Sequence, residues 1–122
     1  MKLSLIYKIL SIYMALFGIP ILFSPSTMIE AFGIGVNANN VKLFTQALGV
    51  FFISFALIHW QMPNWMGENL KSTVNTFAGI HGAFLILNIY QMIIGLQPAA
   101  MVNIAGFVPI VILIILLYTA SD

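Results

Sequence analysis

The stretch FAGIHGAFLILNIYQ, residues 77–91, is apolar enough for a membrane-spanning helix, yet it contains a histidine, an asparagine and a glutamine. At about 100° per residue, Thr73, His81, Asn88 and Gln91 fall on one face of a helix, while the opposite face is aliphatic. Hydrocarbon cannot satisfy the hydrogen-bonding groups of these side chains. We therefore expect this polar stripe (Thr73, His81, Asn88 and Gln91) to face other helices or an internal cavity.

The composition of the whole chain indicates the same class of protein. Of its 122 residues, 61% are hydrophobic and 6% are charged, and the mean hydropathy is +1.07, whereas a soluble domain is about 25% charged. With four Lys and three acidic residues, the chain offers no basic patch for nucleic acid. The absence of Cys excludes disulfides and thiolate metal sites. The sequence therefore predicts an integral membrane protein.

The hydrophobic residues form four blocks, each close to the ~20 residues that cross a bilayer core. Their approximate bounds are 3–23, 41–62, 72–96 and 99–118. The first block is longer than the apolar region of a typical signal peptide, so we interpret it as a retained span. Because the connections are short, neighbouring spans should be antiparallel. The predicted fold is all-α: one domain, residues 1–122, forming an antiparallel bundle of four transmembrane helices.

The lysines indicate how this bundle is oriented. An even number of spans places both termini and the second connection on one side. Lys2, Lys8 and Lys71 lie on or near that side, and Lys42 lies on the other. Because cytoplasmic segments carry an excess of Lys and Arg, we expect both termini in the cytoplasm, in the cytoplasmic (inner) membrane of a prokaryote.

The first connection should contain a short helix of its own. Pro25 suits the first position of a helix, and a helix over about 25–33 would have an apolar side and end at a glycine. Such a segment should lie in the membrane interface. Glu30, one of three acidic residues, is then either a carboxylate solvated among the headgroups or a contact for a partner.

Polar and small residues also occur in the other blocks. One face of the second block combines Thr45, Gly49, Phe52, Ala56 and His59, with Gln46 on its flank. In the third block, the spacing of Gly79 and Gly82 with two alanines predicts close approach of a neighbouring backbone at Gly82. The fourth block has Asn103, Gly106 and Pro109 in its first half. It then continues as VILIILLY, which suits contact with lipid or with another membrane protein.

The two histidines raise the question of a metal or haem site. Counted from the connection between their blocks, His59 and His81 should differ in depth by about 8 Å. No Asp, Glu or Cys within the blocks supplies a further ligand. We therefore expect no metal and no haem. The polar stripe then either forms hydrogen bonds between helices, at ~0.6 kcal/mol each, or lines a pocket for a small molecule.

Catalysis and ion-coupled transport have no residues to support them. No carboxylate lies inside any of the four blocks, so a nucleophile with its base, or a carboxylate pair, cannot be assembled there. A small multidrug transporter has similar length and four spans, but needs a carboxylate in its first helix. This first block offers Lys8 instead. We expect a protein that is not an enzyme.

The order of elements resembles that of the small DoxX-like four-helix membrane proteins. The similarity lies in IYKILSIYMALFGIPILFSPSTMIEAFGI and VKLFTQALGVFFISFALIHW, in which Phe23, Pro25, Gly33 and Gly49 match the group's usual features. The resemblance covers the whole chain as a pattern. It implies a four-helix membrane fold, and a few members of the group are thought to be subunits of membrane redox systems.

Two functions are consistent with these features. The first is a subunit or accessory protein of a larger membrane assembly, surrounded by lipid and contacting other subunits through the fourth helix. The alternative is a binder of a quinone, lipid or carotenoid in a pocket lined by the stripe residues His81, Asn88 and Gln91. Aromatic residues that could contribute to such a pocket are Phe52, Phe55, Trp60, Phe84 and Tyr90.

Overall fold

The chain forms α-helices joined by short connections. A computed structural model describes residues 1–33, 39–96, 98 and 101–121. The helices are α1 (Leu3–Phe23), α2 (Pro25–Ala31), α3 (Asn39–Met66), α4 (Val74–Ile93) and α5 (Met101–Thr119), with a 3-10 segment, Gly67–Thr73, between α3 and α4. The predicted all-α class is confirmed. The predicted start of the fourth span, residues 99 and 100, lies outside the described residues.

The closest helix packing in the described residues that involves glycine is between α1 and α3. A methyl group placed at Gly49 would lie 2.6 Å from the backbone N and 2.8 Å from the Cα of Leu22. At Gly18, the corresponding methyl group would lie 2.9 Å from the Cγ1 of Ile53. The two helices are antiparallel, because residue 18 faces 53 and residue 22 faces 49. Both glycines therefore allow one helix to approach the backbone of the other.

The close contact predicted at Gly82 of α4 is wrong. Methyl groups placed at Gly79 and Gly82 would meet nothing within 4 Å. The small-xxx-small spacing permits close approach but does not cause it, because a neighbouring backbone must also be there. Here that contact has formed between α1 and α3, and α4 packs less closely.

The two ends of the described chain lie together at one end of the bundle. The Leu3 N–H donates to the Ser121 carbonyl at 3.0 Å, and the hydroxyls of Tyr7 and Thr73 are 2.6 Å apart. The buried apolar residues around these contacts come from α1, the 3-10 segment, α4 and α5: Leu3, Ile6, Tyr7, Leu10, Leu70, Val74, Phe77, Ala78, Leu113 and Leu117. This cluster closes the end of the bundle that carries the termini and the α3–α4 connection, here termed the terminal end.

Several helices are apolar along their exposed sides. Among the described residues, two helical runs are long and apolar enough to cross a membrane, Leu3–Phe23 and 39–93, and Asn103–Thr119 is a shorter apolar helix. The run 39–93 folds back on itself, since residues 59 and 81 are hydrogen-bonded. Ile86 is 69% exposed and Ile93 is 77% exposed. Aliphatic side chains exposed to this degree along helices of such length favour a location in a membrane.

Candidate functional site

The two histidines form a direct pair in the interior. The Nε2 atoms of His59 and His81 are 3.1 Å apart, so the predicted difference in depth is wrong. The helix α3 continues through Pro63 to Met66, and α4 begins only at Val74. Each histidine is therefore about two turns from the connection, and the two rings lie at the same level.

The hydrogen bonds of this pair determine which nitrogens carry protons. His59 Nδ1 lies 2.6 Å from the Phe55 carbonyl oxygen, which can only accept, so this nitrogen carries the hydrogen. In a neutral His59 the Nε2 atom is then an acceptor, and His81 Nε2–H donates to it. Neutral imidazoles are the forms that a buried site accommodates at least cost. The remaining nitrogen, His81 Nδ1, is an acceptor, and no hydrogen bond joins it to any described residue.

Aromatic rings surround His59. Its ring centroid lies 4.7 Å from that of Phe77, 5.8 Å from Phe55 and 6.0 Å from Tyr7. His59 is fully buried and His81 is 3% exposed. Among the described residues, the imidazole pair is thus enclosed on the His59 side and has its small exposed surface on the His81 side.

On that side, His81 lines a cavity of about 140 Å³. Its aromatic lining consists of Tyr13, Phe17, Phe32, Phe52, Phe84 and Phe107. Its other lining residues are Met14, His81, Leu85, Asn88, Asn103, Gly106 and Ile110. The walls come from α1, α3, α4 and α5, together with Phe32, which follows α2. The cavity is therefore mostly apolar and has a few polar side chains, which is the usual character of a small-molecule site.

Asn103 occupies an unusual position on the cavity wall. It is 4% exposed, and its Nδ2 donates to the Pro98 carbonyl at 2.9 Å and to the Phe32 carbonyl at 3.4 Å. Its Oδ1 is buried and has no hydrogen-bond partner among the described residues. The two carbonyls fix the orientation of the amide, because only the nitrogen can donate to them. An unpaired acceptor is therefore left in the interior.

The members of the polar stripe have separate environments. Thr73 bonds to Tyr7 at the terminal end, and His81 bonds to His59. Asn88 lines the cavity, and its Nδ2 donates to the Phe84 carbonyl of its own helix at 2.7 Å. Gln91 is half-buried, makes no side-chain hydrogen bond to a described residue and does not line the cavity. The cavity therefore includes His81 and Asn88 from the predicted pocket but not Gln91.

The remaining residues predicted for a site or pocket divide into two aromatic residues that line the cavity and others that lie outside it. Gln46 Nε2 donates to the Leu22 carbonyl at 3.3 Å and joins α3 to α1. Glu30 is exposed at the end of α2. Among the predicted aromatic residues, Phe52 and Phe84 line the cavity, whereas Phe55 packs against His59. Trp60 and Tyr90 are exposed.

Sequence reasoning did not assign Asn103 and Tyr13 to a site. Asn103 is an amide in an otherwise apolar helix, and such a residue within a membrane segment is itself a signal of function. Tyr13 gives no such signal in the sequence. Its hydroxyl donates to the Gly106 carbonyl at 2.6 Å, a contact between α1 and α5 that follows from the tertiary structure.

The described residues contain no group of three or more His, Cys, Asp or Glu side chains that could hold a metal ion. The two imidazoles that do meet are joined to each other by a hydrogen bond. Their arrangement suits a polar contact at the edge of the cavity.

Comparisons of the chain with known protein families, with characterised proteins and with solved structures gave no significant match.

Proposed function

We propose that this chain is an integral membrane protein with four spans that binds an apolar small molecule in the cavity between its helices. The observation that supports this most directly is the cavity itself, in which His81, Asn88 and Asn103 interrupt a wall that is mostly apolar. A wall of this kind binds an apolar body through contact area and orients it through a few polar groups.

The size of the cavity indicates what it can hold. At about 140 Å³ it is close to the engineered cavity of ~150 Å³ that binds benzene. It therefore accommodates one six-membered ring or a short segment of chain. Among the ligands expected from the sequence, a ring-bearing lipid such as a quinone fits best, with its tail lying in the membrane.

The role proposed is binding without catalysis. The three acidic residues of the sequence are Glu30, Glu68 and Asp122. Glu30 and Glu68 lie at an end of α2 and in the 3-10 segment, and neither lines the cavity. General acid–base chemistry at the cavity would have to depend on His81 without a carboxylate to orient it. The wall is better suited to holding a molecule than to transforming it.

Purification in mild detergent, followed by native mass spectrometry and an absorption spectrum, tests the proposal. We expect a stoichiometric small molecule bound to the wild-type protein. In Gly106→Leu the new side chain occupies the cavity, so the bound molecule should be lost. Gly79→Leu is the matched control, because Gly79 is exposed on α4 outside the cavity and also has open space around it. A wild-type protein without bound molecule, or equal retention by both variants, would contradict the proposal.

We also propose that both termini face the cytoplasm. Lys2 lies beside Ser121 at the terminal end, and Lys71 is part of the 3-10 segment there. The Nζ of Lys8 lies 5.4 Å from the centre of the Trp60 ring, which gives this cation within α1 a favourable partner. A concentration of cations at one end favours that end as the cytoplasmic one.

Cysteine labelling tests this orientation, because the chain has no native Cys. In intact cells an impermeant thiol reagent should modify Asn39→Cys, and it should not modify Asn69→Cys until the membrane is opened. Both positions are exposed, so burial does not account for a difference. The opposite labelling pattern would reverse the orientation.

A second candidate function is that of an accessory subunit in a larger membrane assembly. The outer side of α5 exposes only aliphatic residues over one stretch, namely Val108, Val111, Ile112 and Ile115. This surface suits lateral contact with another membrane protein, and the resemblance to DoxX-like proteins supports the same role. A photoreactive side chain at position 112 should then crosslink to one defined polypeptide in the native membrane. Crosslinks to lipid alone would contradict it.

A further inference from the structure

We infer that the molecule held in the cavity carries a hydroxyl group, as an apolar alcohol or phenol does. The inference rests on the proposed function and specifies its ligand class. It follows from the hydrogen bonds of the four polar side chains on the wall, Tyr13, His81, Asn88 and Asn103. These side chains donate almost all of their hydrogens to acceptors within the protein, while their own acceptor atoms have no donor.

His81 is an acceptor towards the cavity because of its partner. His59 donates from Nδ1 to the Phe55 carbonyl, so its Nε2 accepts, and His81 uses its Nε2–H for that bond. The hydrogen of His81 is thus committed to the protein interior. Its Nδ1 has no hydrogen-bond partner among the described residues. His81 is 3% exposed and lines the cavity, so this unpaired nitrogen is the hydrogen-bonding atom that its side chain offers to a bound molecule.

Asn103 has the same imbalance in a more buried position. Both amide hydrogens have carbonyl acceptors, those of Pro98 and Phe32. No donor from the described part of the chain pairs with the amide oxygen. A buried acceptor without a donor is costly, and this oxygen adds to the excess of acceptors on the cavity wall.

Tyr13 and Asn88 complete the acceptor wall. The Tyr13 hydroxyl donates its hydrogen to the Gly106 carbonyl, so its oxygen can act only as an acceptor towards a bound molecule. Asn88 gives an amide hydrogen to the Phe84 carbonyl and keeps its Oδ1. The second amide hydrogen of Asn88 is the remaining side-chain donor on the described wall. Acceptor atoms therefore outnumber donors around the cavity.

This imbalance discriminates between ligands of the same shape. A hydroxyl group pairs with one of the acceptors, whereas a hydrocarbon, an ether or a quinone carbonyl leaves all of them unpaired. Sites built to hydrogen-bond a hydroxyl reject analogues that lack it, because the buried polar groups of the site then lose their partner. The reduced, hydroxyl-bearing form of a ring lipid should accordingly bind more tightly than its oxidised form.

Three small ring compounds separate these effects. Phenol offers a donor, toluene has nearly the same shape with neither donor nor acceptor, and anisole keeps the oxygen but has no hydrogen to donate. Binding is measured by NMR titration of the full chain in detergent micelles, with free concentrations corrected for partition into protein-free micelles. We expect phenol to bind about ten-fold more tightly than toluene, and anisole to bind no more tightly than toluene.

Variants test whether polar residues of the cavity wall cause the preference for phenol over toluene. Asn88→Leu should reduce the preference for phenol over toluene, and it should fold normally because the Asn88 amide bonds only within its own helix. Asn75→Leu is the matched control, since Asn75 is exposed on the same helix and lies outside the cavity. It should leave the preference unchanged. His81→Phe should also reduce the preference for phenol. If His81→Phe does not fold, the result for Asn88→Leu tests the inference by itself.

The outcomes distinguish this inference from the proposed function. If none of the three compounds binds, the proposed function itself fails. If all three bind equally, or anisole binds more tightly than phenol, the cavity binds ring compounds but the inference about the hydroxyl group is overturned. A phenol preference that survives in both Asn88→Leu and His81→Phe would overturn it as well, because the acceptors would then not be its source.

Discussion

The contact between α1 and α3 at Gly49 leads to the sharpest prediction about stability. The substitution Gly49→Ala places a methyl group 2.6 Å from the Leu22 backbone N, which is 0.8 Å short of the 3.4 Å at which ordinary contact begins. Backbone atoms cannot rotate away as a side chain does, so the two helices must separate. The Gln46 hydrogen bond to the Leu22 carbonyl, at 3.3 Å, would then lengthen beyond bonding distance.

Two opposing effects set the size of the loss. Overpacking of this kind costs about 1–3 kcal/mol, and the lost hydrogen bond adds about 0.6 kcal/mol. Alanine has a higher helix propensity than glycine by about 1 kcal/mol, which offsets part of this. We expect Gly49→Ala to lower the free energy of unfolding by about 1–2 kcal/mol, the remainder after this offset.

Thermal unfolding in detergent, followed by circular dichroism, measures the change, with Gly82→Ala as the matched control. A methyl group at Gly82 meets nothing within 4 Å, so this variant should be as stable as the wild type or slightly more so. The reasoning is refuted if Gly49→Ala unfolds at the wild-type temperature, or if Gly82→Ala loses as much stability.

Two further predictions concern buried hydrogen bonds, and both are measured by unfolding in detergent. His81→Gln should fold normally because its amide can still donate to His59. His81→Leu should lower the free energy of unfolding by about 1–3 kcal/mol, because the His59 Nε2 is left buried and unpaired. Equal stabilities of the two variants would contradict the pairing of the histidines. For the 2.6 Å contact between the hydroxyls of Tyr7 and Thr73, a double-mutant cycle of Tyr7→Phe with Thr73→Val should give a coupling of about 0.6 kcal/mol. A coupling of zero would mean that the contact contributes nothing to stability.

The histidine pair illustrates the limit of sequence reasoning about the site. Helical phase placed His81 on an inward polar face, and it does lie in the interior. Its depth relative to His59 depended on where α3 ends and α4 begins. Pro63 and the polar residues after it suggested an early end, but α3 continues through Pro63 to Met66. A shift of about one turn at the end of α3 and about half a turn at the start of α4 was enough to bring the two rings together.

Asn103 shows a different limit. The sequence marks it as a polar residue in an apolar helix, and intramembrane amides are expected to have partners. Its partners are the carbonyls of Phe32 and Pro98, which belong to connections rather than to helices. No periodicity in the sequence predicts contacts of that kind, so the orientation of the amide and its unpaired oxygen became visible only in the folded chain.

The sequence by itself determined the helical class, the apolar character of the helices and the inward face of His81, because these follow from composition and from the local period of a helix. Tertiary structure decided which glycines make close contacts, which polar groups bond to each other and where the cavity lies. Gly49 and Gly82 look alike as residues in a chain, and what distinguishes them is whether the backbone of Leu22 is beside them. Local periodicity specifies which direction a side chain faces, whereas its distance from a partner depends on the position of a second helix far away in the chain.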